Sequence, residues 1–136
     1  MAKELLNGFN FNNNAIFSSI VFANGSIDIP TGVRTIAAFT PINDVAYPAG
    51  ATHLSISAAF GNVDFSNDDS DVKFTNKVNK AIDGTTSAVT LTPTGLPSGT
   101  GTKIYVVEVE FFQEVNAIQY SLKNGAYNAL AIILVA

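Results

Sequence analysis

Cysteine and tryptophan are absent from the 136 residues, and histidine and methionine occur once each. Without thiols the chain has no disulfide framework, thiolate zinc site, iron–sulfur cluster or cysteine nucleophile, and its redox compartment is left open. One imidazole excludes a multi-histidine metal site within a single chain. Charge is also scarce: Asp, Glu, Lys and Arg make up 13% of the residues, about half the usual ~25%. Seven basic against eleven acidic side chains leave a net charge of −4 and a pI near 4.6. That balance disfavours nucleic acid, whose recognition needs a basic footprint to release counterions.

The chain holds no long hydrophobic run. Its longest, ALAIILVA over 129–136, is far short of the ~20 residues that span a bilayer, so membrane insertion is not expected and the run reads as a strand buried on both faces. Residues 1–8 show neither an apolar signal core nor a small-residue cleavage site, which predicts either no export by that route or a trimmed portion. An extracellular or particle-associated setting is the expectation.

What is present is 47% hydrophobic residues, with Asn, Ser, Thr and Gly supplying most of the polarity. A chain this long buries roughly two thirds of its unfolded surface, enough for its own core. A surface soluble through hydrogen bonding rather than charge resembles the charge-depleted centre of protein interfaces.

Alternation with a period of two dominates. Leu54, Ile56, Ala58 and Phe60 share one face, with His53, Ser55 and Ser57 on the other. The longest strand candidate, 103–115, places Tyr105, Val107, Val109, Phe111 and Val115 on one side, and mixes Ile104, Val106 and Phe112 with Glu108, Glu110 and Glu114 on the other. Asn24-Gly25 and Asn124-Gly125 are hairpin signals, because both central residues of a type I′ turn need positive φ. They predict pairing of 15–23 with 26–30, and of 118–122 with 127–135. A turn at Asn116-Ala117 would make the last third a three-stranded meander. The stretches 40–50 and 92–102 read as loops, and 83–86 as a short turn. Roughly nine or ten strands spaced by turns predict a single all-β domain over 1–136, an antiparallel sandwich with a small barrel as the alternative. The expected core is Phe17, Val21, Leu54, Ile56, Phe60, Val107, Val109, Phe111, Leu130, Ile132 and Leu134.

No constellation of chemistry-bearing residues compels a reaction. His53 and Ser55 share a strand face, but no nucleophile-elbow motif accompanies them, and a lone histidine on a polar strand face is an ordinary surface residue. Glu108 and Glu110 project from one face about 6.5–7 Å apart at the backbone, a spacing that invites comparison with glycosidase carboxylates. Alternating glutamates on a wet sheet face explain them as well. Asp64, Asp68, Asp69 and Asp71 form the densest anionic segment and are the calcium candidates. Asp69 stands where a calcium loop needs glycine and Thr75 where it needs a bidentate glutamate, and a solvated turn screened by Lys73, Lys77 and Lys80 accounts for the cluster. Asn24-Gly25-Ser26 matches a glycosylation sequon that the hairpin reading also explains. Asn10, Phe11 and Asn12 belong to an Asn-rich, β-prone opening segment, either an edge strand of this domain or an arm that pairs with another subunit.

The segments NGFNFN (7–12), PAGATHLSISAAF (48–60), VDF (63–65) and EFFQEVNAIQYSLKNGAYNAL (110–130) together resemble the C-terminal β-rich part of an uncharacterised family of Bacteroidetes proteins, in which a basic N-terminal region precedes such a segment. The resemblance implies a β domain, with no activity or functional residues to carry over. The sequence therefore predicts a non-enzymatic structural or interaction module without cofactor, a subunit or domain of an appendage, a phage particle or a secreted complex, with a protein partner or self-association. The alternative is a glycan- or calcium-binding module using the acidic segment or the Tyr47, Tyr105, Tyr120 and Tyr127 rings. A small-molecule ligand is not specified.

Overall fold

The computed structural model describes residues 10, 12, 16–22, 25–64, 66–67, 69–122 and 128–135, with Ser18 through its backbone alone. Among these residues there are nine strands: β1 (Ser26–Asp28), β2 (Val33–Phe39), β3 (His53–Asp64), β4 (Asp69–Phe74), β5 (Val78–Ala81), β6 (Ser87–Leu91), β7 (Thr102–Val115), β8 (Ile118–Ser121) and β9 (Ala129–Val135). Two four-residue helical turns accompany them, α1 (Phe17–Ile20) and α2 (Pro41–Asp44). The strands form two antiparallel sheets, the larger strongly curled, which is the expected all-β sandwich.

The larger sheet is organised around its two longest strands. β3 and β7 pair from His53↔Phe112 to Val63↔Thr102. The other edge of β3 is shared end to end by β5 and β4, and that of β7 by β8 and β9. The smaller sheet has the order β1-β2-β6. Between the sheets lies a core of Leu54, Ile56, Ala58 and Phe60 from β3, Tyr105, Val107, Val109 and Phe111 from β7, and Ile36, Phe39, Val89 and Leu91 from the smaller sheet. Fully burying each large apolar side chain contributes ~1.5–3 kcal/mol. One flank is closed by bonds between sheets: Thr94 donates its N–H to the Phe74 carbonyl, Asn76 bridges Thr90 and Thr92, and the Lys80 ammonium reaches the Ser87 hydroxyl.

Several local expectations are corrected. The region 16–22 is not a strand hairpinned to 26–30. It carries α1 and a single bridge from Val21 to Val45, and β1 pairs with β2 through a turn at 29–32. Gly32 makes that turn possible, with φ at +73° and the Phe60 ring so close that a Cβ would stand 2.4 Å from it. Asn24 lies outside the described residues. The stretch 40–50 is not all loop: Pro41 starts α2, where its fixed φ and missing N–H cost nothing, and the Asp44 carboxylate accepts the Thr40 N–H at 2.7 Å.

The three-stranded meander is also replaced. Asn116 and Ala117 do turn the chain, both at positive φ (53° and 66°). But β8 and β9 lie consecutively along β7 and do not pair with each other. A 14-residue strand has room for two short partners on one edge. Asn124-Gly125 falls outside the described residues.

On β9 the predicted parity is wrong at Leu130. Ala129 and Ala131 face the core opposite Val109 and Val107, and Leu130 is half-buried opposite Glu108, whereas Ile132, opposite Val106, is buried as expected. A bulge at Ile133 then shifts the phase, so that Leu134 lies opposite Tyr105 on the inner side. Such an inserted residue reverses the facing of everything beyond it. Phe17 packs against the core at its margin, and Val115, at the β7–β8 turn, is exposed.

Candidate functional site

The outer side of the larger sheet departs most from an ordinary sandwich. Strand alternation places Phe74, Ala59, Val106 and Ile132 in one row across β4, β3, β7 and β9, and Val72, Gly61, Ile104 and Val135 in the next. Sandwich strands usually turn polar residues outward. Here two successive rows hold no polar side chain. Phe74 is 67% exposed and Val72 43% exposed, while Ala59, Ile104, Val106 and Val135 are half-buried and Gly61 and Ile132 are buried. Beside Phe74 lies a groove of about 140 Å³ lined by Ser57, Ala59, Val106, Leu130 and Glu108, the last standing between Ser57 and Leu130.

Farther along the same ladder the outer side becomes polar. Glu108 and Glu110 do project together, and Lys77 Nζ donates to Glu110 Oε1 at 2.6 Å. That bond raises the Lys77 pKa, with the Glu110 charge adding to it. Glu108 is pushed above the usual carboxylate range by burial first, then by its hydrogen bond and repulsion with Glu110. Asn79 Nδ2 donates to Ser55 Oγ at 3.0 Å and to Gln119 Oε1 at 2.8 Å, and Gln119 Nε2 returns a bond to Asn79 Oδ1 at 3.1 Å. The curl of the sheet brings these amides together over Ser55, which explains how a serine on the outer side becomes buried. His53 Nδ1 is paired with the neighbouring Thr52 hydroxyl, and Ser55 with Asn79, so His53 and Ser55 do not form a nucleophile–base pair.

In the acidic segment Asp64 is bonded within its own loop and Asp71 to the loop at Ser98. Asp64 accepts the Ser66 N–H and hydroxyl and the Asn67 amide. These bonds, the Ser66 hydroxyl foremost, hold its pKa below the usual value. Asp71 is lowered chiefly by the Ser98 N–H and further by the Lys73 charge. Asp69 shares a polar cleft of about 280 Å³ with them, next to Asn62 and the 98–100 loop. Asp68 lies outside the described residues. Among the described residues no three His, Asp or Glu side chains converge to hold a metal ion. Of the three lysines expected to screen this segment only Lys73 does so, since Lys77 and Lys80 go to Glu110 and Ser87.

Asn10 bridges to Ala131 of β9 and its Oδ1 accepts the Phe17 N–H at 2.9 Å, while Asn12 Nδ2 donates to the Asn128 carbonyl at 2.9 Å. Both therefore contact their own domain. Phe11 lies outside the described residues. The tyrosines form no common platform: Tyr105 is in the core, Tyr47 and Tyr120 are exposed, and Tyr127 is not described.

Sequence reasoning missed Val72 and Phe74, although a signal was present. In DSDVKF the charges occupy alternate positions and the apolar side chains another, so one side of an edge strand is charged and the other greasy. No helix among the described residues is long and apolar enough to cross a membrane. No family model, curated protein or solved structure matches the chain.

Proposed function

We propose that this chain is a non-enzymatic structural module, a subunit of a larger assembly of the appendage, phage-particle or secreted-complex kind, which packs against a second copy of itself through the outer side of its larger sheet. The observation that supports this most is the pair of apolar rows from Val72 and Phe74 to Ile132 and Val135. Exposed apolar patches mark interaction sites, and sheets stack face to face at ≈ 10 Å when both contacting faces are apolar. A like-with-like contact is favoured because these rows carry no charge, so two copies meet there without opposed ions. The one ionisable group lining the groove, Glu108, lies in the neighbouring row, between Ser57 and Leu130.

Sedimentation and light scattering across a concentration series test the reading. Wild type is expected to associate reversibly, and Phe74→Lys, which removes the most exposed ring and adds a charge, to weaken that association at least tenfold while leaving the fold intact. A strict monomer at about millimolar concentration, or association untouched by Phe74→Lys, overturns it.

A further inference from the structure

A single carboxylate borders the apolar rows on the outer side of the larger sheet. Glu108 stands in the adjacent row, between Ser57 of β3 and Leu130 of β9, and lines the same groove as Phe74, Ala59 and Val106. It is already half-buried in the lone chain. The strands around it give its charge little support. β9 carries no ionisable residue from Ala129 to Val135. β4 turns Val72 and Phe74 to this side, whereas Asp71 and Lys73 lie opposite Asn62 and Phe60 and so face the other way. β3 offers Ser57 and Ser55 here, and its His53 stands farther along, opposite Phe112, with Nδ1 on the Thr52 hydroxyl. β5 turns Asn79 outward and Lys80 inward, opposite Leu54, and β8 presents Gln119 opposite Glu114. On β7 the next residue on the same side is a second acid, Glu110. The one cation within reach is Lys77, and its ammonium is held by Glu110 at 2.6 Å. Burial first, and then Glu110, raise the Glu108 pKa, with Lys77 pulling the other way.

We propose that Glu108 is a proton switch on self-association through this side of the sheet, which tightens when the carboxyl is protonated and loosens when it is charged. The inference rests on the reading of that side as the contact with a second copy. Sheets stacked face to face stand ≈ 10 Å apart, so closure over the groove strips water from the half of Glu108 that still reaches it. A desolvated carboxylate with no cation of its own takes up a proton instead. In a like-with-like contact each copy brings one Glu108, and association is therefore coupled to the uptake of up to two protons per dimer. Proton uptake on binding makes the complex tighter as pH falls.

Sedimentation across a concentration series at about pH 5, 6 and 7.5, at fixed ionic strength, tests this with wild type, Glu108→Gln and Glu114→Gln. The last removes the same charge from an exposed position on the same side of β7, away from the groove. The wild-type dissociation constant is expected to fall at least tenfold between pH 7.5 and pH 5. Glu108→Gln is expected to associate at pH 7.5 about as tightly as wild type does at pH 5, with little further change on acidification, and Glu114→Gln to follow wild type. A wild-type dissociation constant that does not change with pH overturns the switch and leaves the contact standing. So does a Glu108→Gln variant that keeps the wild-type pH dependence, or one that Glu114→Gln matches. A wild type that stays monomeric at every pH overturns the contact itself.

Discussion

Along its outer side the β3–β7 ladder carries two chemistries. From Ala59 to Val63, where β4 and β9 flank it, the side chains are almost all apolar; from His53 to Ser57, where β5 flanks β3, polar side chains predominate, with Phe112 and Leu130 the apolar members of their rows. From Leu54 to Phe60 and from Tyr105 to Phe111 the inner side of the same two strands is apolar. The core therefore does not determine the contrast. In the polar half several side chains pair within the chain: Asn79 and Gln119 close over Ser55, and Lys77 holds Glu110. In the other half Val72 and Phe74 expose ring and methyl groups for which water is a poor partner. The polar half is finished within one chain, while the apolar half is suited to contact with another, and Glu108 sits at the junction.

The strongest way to break this contrast is to place one lysine in each half. Phe74→Lys is expected to cost at least tenfold in self-association, about 1.4 kcal/mol, whereas Gln119→Lys leaves it within error; equal effects, read by sedimentation, would erase the distinction. Next in size, Asn79→Ala removes the amide pair and leaves the buried Ser55 hydroxyl without its donor. It is expected to destabilise by about 1–2 kcal/mol in urea titrations, and a neutral result would mean that the amides do not seal that half.

The smallest expected effect lies at the junction. Glu108→Gln should stabilise by less than about 1 kcal/mol at neutral pH, since the carboxylate is half exposed and screened. The pH dependence gives a sharper reading. A carboxyl whose folded pKa is raised is favourable while protonated, so its contribution is complete below about 4.5 and is lost as pH rises through the folded value. Asp64 and Asp71 have the opposite sign: their lowered values give stability that is present above about 3.8 and lost on acidification. Glu108→Gln should therefore flatten the decline toward neutral pH and leave the acid limb unchanged. A variant whose two limbs both move would show that the carboxylates do not act separately.

Much of the architecture was legible because period-two alternation survives wherever one face is buried. The inward sets of β3 and β7 follow it residue by residue, and the Asn116-Ala117 turn was read from its composition. The failures have local causes. The bulge at Ile133 reverses facing without any mark in a run of aliphatic residues, so Leu130 was placed on the wrong side. The reading of 15–23 as strand failed because α1 spans only one turn, too short to show a helical period. The outer apolar rows were invisible as a unit, since they combine residues from four strands whose order no single stretch encodes.

The β3–β7 ladder has a temporal consequence as well. Its closest pair in sequence is Val63 with Thr102, and β4, β5 and β6 all lie between. The central ladder thus joins segments that cannot meet until most of the intervening chain has been synthesised and looped back. Folds dominated by such distant pairings mature in milliseconds to seconds rather than microseconds. While β3 waits for β7, the side chains of both its faces remain uncovered, and that interval is when nascent chains of this protein are most prone to stick to one another.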